Sequence, residues 1–420
     1  MQRIEIKNFG PIKHVELDIN DYTIFIGPQA SGKSTIARAV QFFRTLNCCF
    51  TKALHPLLFG TKKTIEIRDF YDAICERFLA LWDISYLEND SSIKFVFDEK
   101  KNDVIEISNV TPLSIQFSEH LESYFHSRRD EIVSMKEKSD AQNPSLHIFL
   151  HDYSWYLVGK ELFQKMRKSD YIPAGRSVFN AVYNEISPGS ESLFHDIFVR
   201  EYISTVNQIR HVFRQQNIES RLKSQNPQAQ IAEKIYRFSR EILQGNYQQI
   251  DGQDFLQVNQ EKQFSLASTS SGQQEAIWIL LSALYSVLEI TEGISTIIEE
   301  PESHLFPQAQ QDMMRVLTLL ANHPENQIMI TTHSPYILTP LNNFLFAHEL
   351  GQDESKRDAV AEIIDPDLWI DPKRFDCYYV DHGTITSVMD REANMMNLEQ
   401  LDSASQVGNE EYDKLSALEG

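Results

Sequence analysis

The sequence predicts an α/β fold, and three stretches carry that expectation. An apolar strand, Tyr22 to Ile26, runs into a glycine-bearing loop and then a helix from about Gly32. A second apolar strand, Ile294 to Ile298, ends on adjacent glutamates and a proline. A third, within QIMITTHSP (Gln327 to Pro335), follows a helix over Gln308 to Ala321. Strands interleaved with helices in this manner read as α/β.

The first element is the most specific. Residues 22 to 35 read YTIFIGPQASGKST: Gly27, Pro28, Gln29, Ala30 and Ser31 lead to Gly32, Lys33, Ser34 and Thr35. This is the spacing G-x-x-x-x-G-K-[ST] between a strand and a helix. Glycines let backbone N–H groups turn inward around phosphate oxygens, and the helix aims its positive end at the same anion. Lys33 adds a point charge for the outer phosphates, and the Ser34 hydroxyl can ligate Mg²⁺. The pattern predicts ATP and Mg²⁺ as ligands.

The second element supplies acid. Two carboxylates at the end of a buried strand make sense only against positive charge, which Mg²⁺ and Lys33 would provide. Glu299 stands where a carboxylate holds the Mg²⁺ shell, through water because Asp is the usual residue there. Glu300 is placed to orient and deprotonate an attacking water. The third strand ends at His333, where a histidine could contact the γ-phosphate and sense its loss.

Between these halves lies STSSGQQEAIWILLSAL (Ser268 to Leu284). Its Ser271-Gly272-Gln273-Gln274 resembles the signature motif of ABC-class ATPases, opening an apolar helix. The order of phosphate loop, signature, Glu-Glu strand and His333 resembles an ABC-type P-loop ATPase head. More narrowly it resembles the SMC, RecF and OLD-like branch (AAA15-type), with IEIKNFGPIKHVELDI (Ile4 to Ile19) like that branch's opening hairpin. EEPESHLFP (Glu299 to Pro307) is similar to its OLD-like bacterial members.

The resemblance implies a head with a mixed sheet, an antiparallel β extension and a short helical arm. It implies a homodimer in which two heads sandwich ATP, open to growth into a larger homo-oligomer. Ser271, Gly272 and Gln273 of one head would then cap the nucleotide on the facing Lys33. The family's Q-loop glutamine is not evident; DYIPAGRS (Asp170 to Ser177) occupies its place. Arg176 would reach the nucleotide phosphates or transmit their state, or else serve as a structural ion-pair partner.

Bulk properties bound the rest. The chain has 420 residues, 42% of them hydrophobic, which suits two or three domain-sized units or one head with insertions. With 39 basic and 60 acidic residues the net charge is −21, so DNA or RNA would need a local basic patch. Cys48, Cys49, Cys75 and Cys377 form no CxxC pair, against zinc or a disulfide framework. MQRIEIKNFG lacks the apolar core of a signal peptide, and no window reads as a membrane span. A cytoplasmic protein without a membrane partner is expected.

The expected units are an N-terminal head part over 1–180 with a β-rich insertion, a helical lobe over 181–262, and a C-terminal head part over 263–395. An acidic tail fills 396–420. RFDCYYVDHGTITSVMD (Arg374 to Asp390) reads as a closing hairpin with His382-Gly383 in the turn. Within 200–241, Arg200, Arg210, Arg214, Arg221, Lys223, Lys234, Arg237 and Arg240 face Glu201, Glu219, Glu233 and Glu241. This is a solvated helical face or a surface for nucleic acid or an acidic partner. Asn226-Pro227 splits it, and no heptad run supports a long coiled coil.

The motif forms together resemble ATPase subunits of two-component bacterial anti-phage systems such as PARIS and Septu. The expected role is a sensor or scaffold ATPase that holds a separate effector, a nuclease or toxin, and releases it on a viral trigger. No nuclease motif is expected in this chain. The alternative is a RecF- or SMC-like ATPase of DNA repair, which the basic arm favours and the overall charge disfavours. A membrane-transporter subunit fits poorly.

Overall fold

The structure, a computed structural model, describes residues 2–58, 64–109, 113–138, 168–178, 196–215, 218–222, 228–259, 262–290, 293–323 and 325–397. The expected acidic tail beyond 397, Lys223 and the Asn226-Pro227 break lie outside them.

The N-terminal part begins with strands β1 (Gln2–Phe9), β2 (Ile12–Ile19) and β3 (Tyr22–Ile26), then helices α1 (Lys33–Arg44), α2 (Asn47–Leu58) and α3 (Ile67–Leu81). Strands β4 (Ser92–Asp98), β5 (Asp103–Ser108) and β6 (Ser114–Phe117), helix α4 (Glu119–Lys138) and strand β7 (Lys168–Ile172) follow. Strand β1 pairs antiparallel with both β2 and β4, and the sheet runs β2-β1-β4-β5-β6. The opening hairpin and the antiparallel extension are therefore one sheet.

The middle holds α5 (Ile197–Gln215), α6 (Ile218–Leu222) and α7 (Ala229–Leu243), then β8 (Asn246–Ile250), β9 (Gln253–Gln257) and β10 (Gln263–Ser265). The lobe expected as helical over 181–262 thus ends in strands. The reason is local: Asp251 and Gly252 take φ of 51° and 81°, the two left-handed positions a tight hairpin turn needs.

The C-terminal part holds α8 (Ser271–Glu289), β11 (Ile294–Glu299), α9 (Pro307–Asn322), β12 (Gln327–Thr332), α10 (Leu338–Gly351), α11 (Glu354–Ile363), β13 (Phe375–Asp381) and β14 (Thr384–Ser387). The closing hairpin is as expected, with His382 and Gly383 at φ of 49° and 79° in its turn. The central sheet runs β14-β13-β3-β12-β11-β7, and all its pairs are parallel except β13 with β14.

Strand alternation splits the core in two. Tyr22, Ile24 and Ile26 of β3 pack with α5, α7, α8, α9 and α10 on one face. Phe25 between them packs on the other face with α1, α2 and the antiparallel sheet. Strands buried on both faces read as continuous apolar runs, which is why β3, β11 and β12 were legible in the sequence. Their carboxyl ends deliver the loop after Ile26, the turn after Glu299 and His333 to one edge of the sheet.

Candidate active site

The loop after β3 closes on Gly32, the N-cap of α1, with φ of 108°. A Cβ there would lie 2.3 Å from Ile12 Cδ1, so both conformation and space demand glycine. No side chain caps α1, and its first turn holds no acidic residue. Helices α8 and α11, by contrast, are capped by Ser270 and Asp353. The amino end of α1 keeps its N–H groups and positive end for an external anion, so these residues fit a bound phosphate. Pro28, Gln29, Ala30 and Ser34 are exposed, Thr35 is half-buried, and Gly27 and Ser31 are buried.

Lys33 is only 4% exposed. Its Nζ donates to the carbonyls of Gly27 at 2.9 Å and Pro28 at 2.7 Å, and lies 3.3 Å from His333 Nδ1. Burial lowers its pKa to about 8, opposed by the carboxylates of Glu300, Glu302 and Glu299. An ammonium can only donate, so His333 Nδ1 accepts, and Nε2 carries the proton toward Glu300 Oε1, 3.4 Å away. Lys33, His333 and Glu300 thus form one chain of polar contacts.

Glu300 sits just past β11 with φ of 43°, left-handed and uncommon outside glycine. Its N–H donates to the Thr331 carbonyl at 2.8 Å, and its Oε2 accepts from Ser303 Oγ at 3.1 Å. Glu299 is turned inward: its Oε2 accepts from the Ala174 N–H at 3.2 Å. Glu302, unremarked in the sequence, is buried and accepts from Thr332 Oγ1 at 2.6 Å and the His333 N–H at 2.9 Å. It fixes the turn that carries His333. Only the EEPE spacing hinted at it.

Arg176 is fully buried. Its guanidinium donates to the carbonyls of Pro173, Glu275, Glu299 and Glu300 at 2.6 to 2.9 Å and pairs with the Glu275 carboxylate at 3.2 Å. Of the two readings the sequence left open, the geometry is that of the ion-pair partner.

The signature residues sit at the start of α8. Ser270, one residue before the predicted set, is the N-cap: its Oγ accepts from the Gln273 N–H, and Gln273 Oε1 accepts from the Ser270 N–H at 3.0 Å. Gln273 also donates to the Leu243 carbonyl at 2.7 Å. Ser271 is exposed in the first turn, and a Cβ on Gly272 would lie 2.5 Å from the His304 carbonyl oxygen. A cavity of ≈ 720 Å³ opens beside them, lined by Ser270, Gly272, Gln273, His304, Phe306 and Arg315 among others. The structure therefore groups these residues with His304, not with Lys33 of the same chain.

Among the described residues one further cluster, Glu5, His14 and Glu16, brings metal-ligand atoms together on the antiparallel sheet. Lys7 and Arg3 already pair with those carboxylates, so it reads as a cross-strand charge ladder. The basic arm is likewise partly neutralised. Arg210 pairs with Asp254 at 3.1 Å, Arg221 with Glu289, and Lys234 with Asp365 and Asp367 at 2.6 Å. No helix among the described residues is long and apolar enough to cross a membrane.

The family described as AAA ATPase domain (AAA_15) matches residues 1–338. An OLD nuclease from Thermus scotoductus is 22% identical over 383 residues, covering 87% of this chain and 65% of that protein. The chain thus spans just under two thirds of that relative's length. Among solved structures, an SMC head bound to the C-winged helix domain of ScpA is 10% identical with a TM-score of 0.44, covering 93% of this chain and 98% of that one. The SMC head domain from Thermotoga maritima is 13% identical with a TM-score of 0.36, covering 80% and 90%.

Proposed function

The chain belongs to the AAA_15 family of AAA ATPase domains, an OLD-like ABC-type branch, and from that premise we propose that its ATP cycle holds and releases a separate effector protein in bacterial defence against phage. The observation that carries the catalytic half is the Lys33–His333–Glu300 chain beside the uncapped start of α1. N–H groups of the loop and of α1 hold the phosphates. Lys33 leaves the Gly27 and Pro28 carbonyls for the β- and γ-oxygens. Glu300 takes the proton of the attacking water as its oxygen bonds to the γ-phosphorus, the bond from that phosphorus to the β–γ bridging oxygen breaks, and ADP and inorganic phosphate leave. His333 donates to the γ-phosphate and registers its loss. Ser34 directly, and Glu299 through water, would hold Mg²⁺, which would neutralise charge on the transferred group.

The effector half rests on three observations. The net charge of −21 suits a scaffold for a basic protein. Three cations of the arm are committed to internal pairs. The relative it matches is named an OLD nuclease. Two heads sandwiching ATP, each completed by the other's Ser271–Gln273, give the assembly.

The test is to purify the chain with the product of its neighbouring gene, add ATP and Mg²⁺, and weigh the particles for wild type and Glu300→Gln. A multi-subunit particle that keeps the second protein with Glu300→Gln and releases it with wild type is expected. A bare monomer that pairs only on DNA overturns the reading in favour of DNA repair.

A further inference from the structure

We propose that Arg176 and Glu275 are a buried positioning pair that couples the seating of α8 to the backbone conformation of Glu300. The inference rests on Glu300 as the base that takes the proton from water. It concerns how that base is held, which the family motifs do not state.

The pair joins three segments far apart in the chain. Glu275 lies one turn into α8 and is 2% exposed. Its carboxylate accepts from the backbone N–H groups of Arg176 at 3.0 Å and Ser177 at 2.9 Å, tying the segment after β7 to the helix. The guanidinium then reaches across to the end of β11. One Nη1 bond ends on the Glu299 carbonyl at 2.7 Å and the Nη2 bond on the Glu300 carbonyl at 2.9 Å. A planar fork with several fixed donors can bind these carbonyls together, and an ammonium cannot.

Glu300 needs such a clamp. Its φ of 43° is sparsely populated for a residue with a Cβ and persists only where the surroundings over-determine it. Three bonds do so: Thr331 accepts from its N–H, and its carbonyl accepts from the Ser303 N–H at 3.1 Å within the turn and from Arg176 across it. Helix α8 also touches the other end of the same turn, where Gly272 meets the His304 carbonyl. The residues from Glu300 to His304 are thus bracketed by one helix, the helix whose first turn carries the signature. A shift of α8 moves Glu275, Glu275 moves Arg176, and Arg176 moves Glu300. A buried ion pair contributes little net stability compared with apolar neighbours, so its effect is on geometry.

The test uses the full chain with Arg176→Lys, Glu275→Gln, Arg176→Met and the double variant Arg176→Met/Glu275→Leu. Affinity for a fluorescent ATP analogue, steady-state ATP turnover and thermal midpoint are measured for each, beside wild type and Glu300→Gln. Arg176→Lys and Glu275→Gln should bind the analogue within about twofold of wild type while kcat falls by up to roughly a hundredfold, the cost of a misplaced catalytic group. The double variant should regain the thermal midpoint lost by Arg176→Met and not the turnover. Turnover that recovers with the thermal midpoint, or wild-type kcat in Arg176→Lys, overturns the pair as a positioning device. Turnover in Glu300→Gln equal to wild type overturns the role given to Glu300, and the coupling with it.

Discussion

Lys33 is asked to be buried and to be charged. Burial lowers its pKa from 10.5 to about 8, while a phosphate anion at the loop would restore the charge. Below about pH 8 the lysine is already protonated, so it adds no pH dependence to ATP affinity there. Above it, binding must take up a proton, and affinity should fall with pH, by at most about tenfold per unit, until the ordinary lysine pKa is reached. Stability has the opposite sign: the burial penalty is present below about pH 8 and is relieved as pH rises from there. Calorimetry of ATP binding at several alkaline pH values checks this; an affinity that stays constant through about pH 9.5 rejects it. The loop, Glu300 and His333 were legible in the sequence because chemistry fixes their spacing over a few residues. Glu302 and Glu275 were not, and Arg176 was left open between the nucleotide and an ion pair. Arg176 finds its partner 99 positions along the chain, and burial decides what a buried carboxylate does.

At the scale of elements, β3, β11 and β12 were readable because a strand covered on both faces leaves an unbroken apolar run. The hairpin of β8 and β9 was missed because NYQQIDGQDFLQ is polar, and its Asp251-Gly252 turn was the only strong signal in it. Helix α8 was found from its signature and apolar run, and its N-cap, Ser270, lies one residue before that motif. The start of that helix gives a sharp test of close packing. In Gly272→Ala the new Cβ would stand 2.5 Å from the His304 carbonyl oxygen, a backbone atom in a left-handed turn that cannot swing aside. The helix or the turn must shift, at a cost of about 1–3 kcal/mol. Urea unfolding should register that loss, and ATP turnover per folded molecule should fall because the shifted turn carries Glu300. A variant with wild-type stability and turnover would mean that the contact yields freely.

For the whole molecule, charge decides which associations salt helps. Each chain carries −21, so in the proposed dimer two heads approaching across ATP would repel at long range. Salt screens that repulsion, whereas short contacts between a helix terminus and a phosphate, once desolvated, are screened much less. Dimerisation of Glu300→Gln with ATP should therefore strengthen as sodium chloride rises from about 50 mM toward about 200 mM, over which the screening length falls from somewhat above to below about 10 Å. A complex with a basic effector should weaken over the same range, since there the long-range term is attractive. A complex with DNA would weaken too, and steeply, as phosphate contacts release counterions. Sedimentation of Glu300→Gln alone and with its partner separates these signs in one titration. Homodimers that weaken with salt would place complementary charge at the interface and remove the argument that net charge governs how two heads meet.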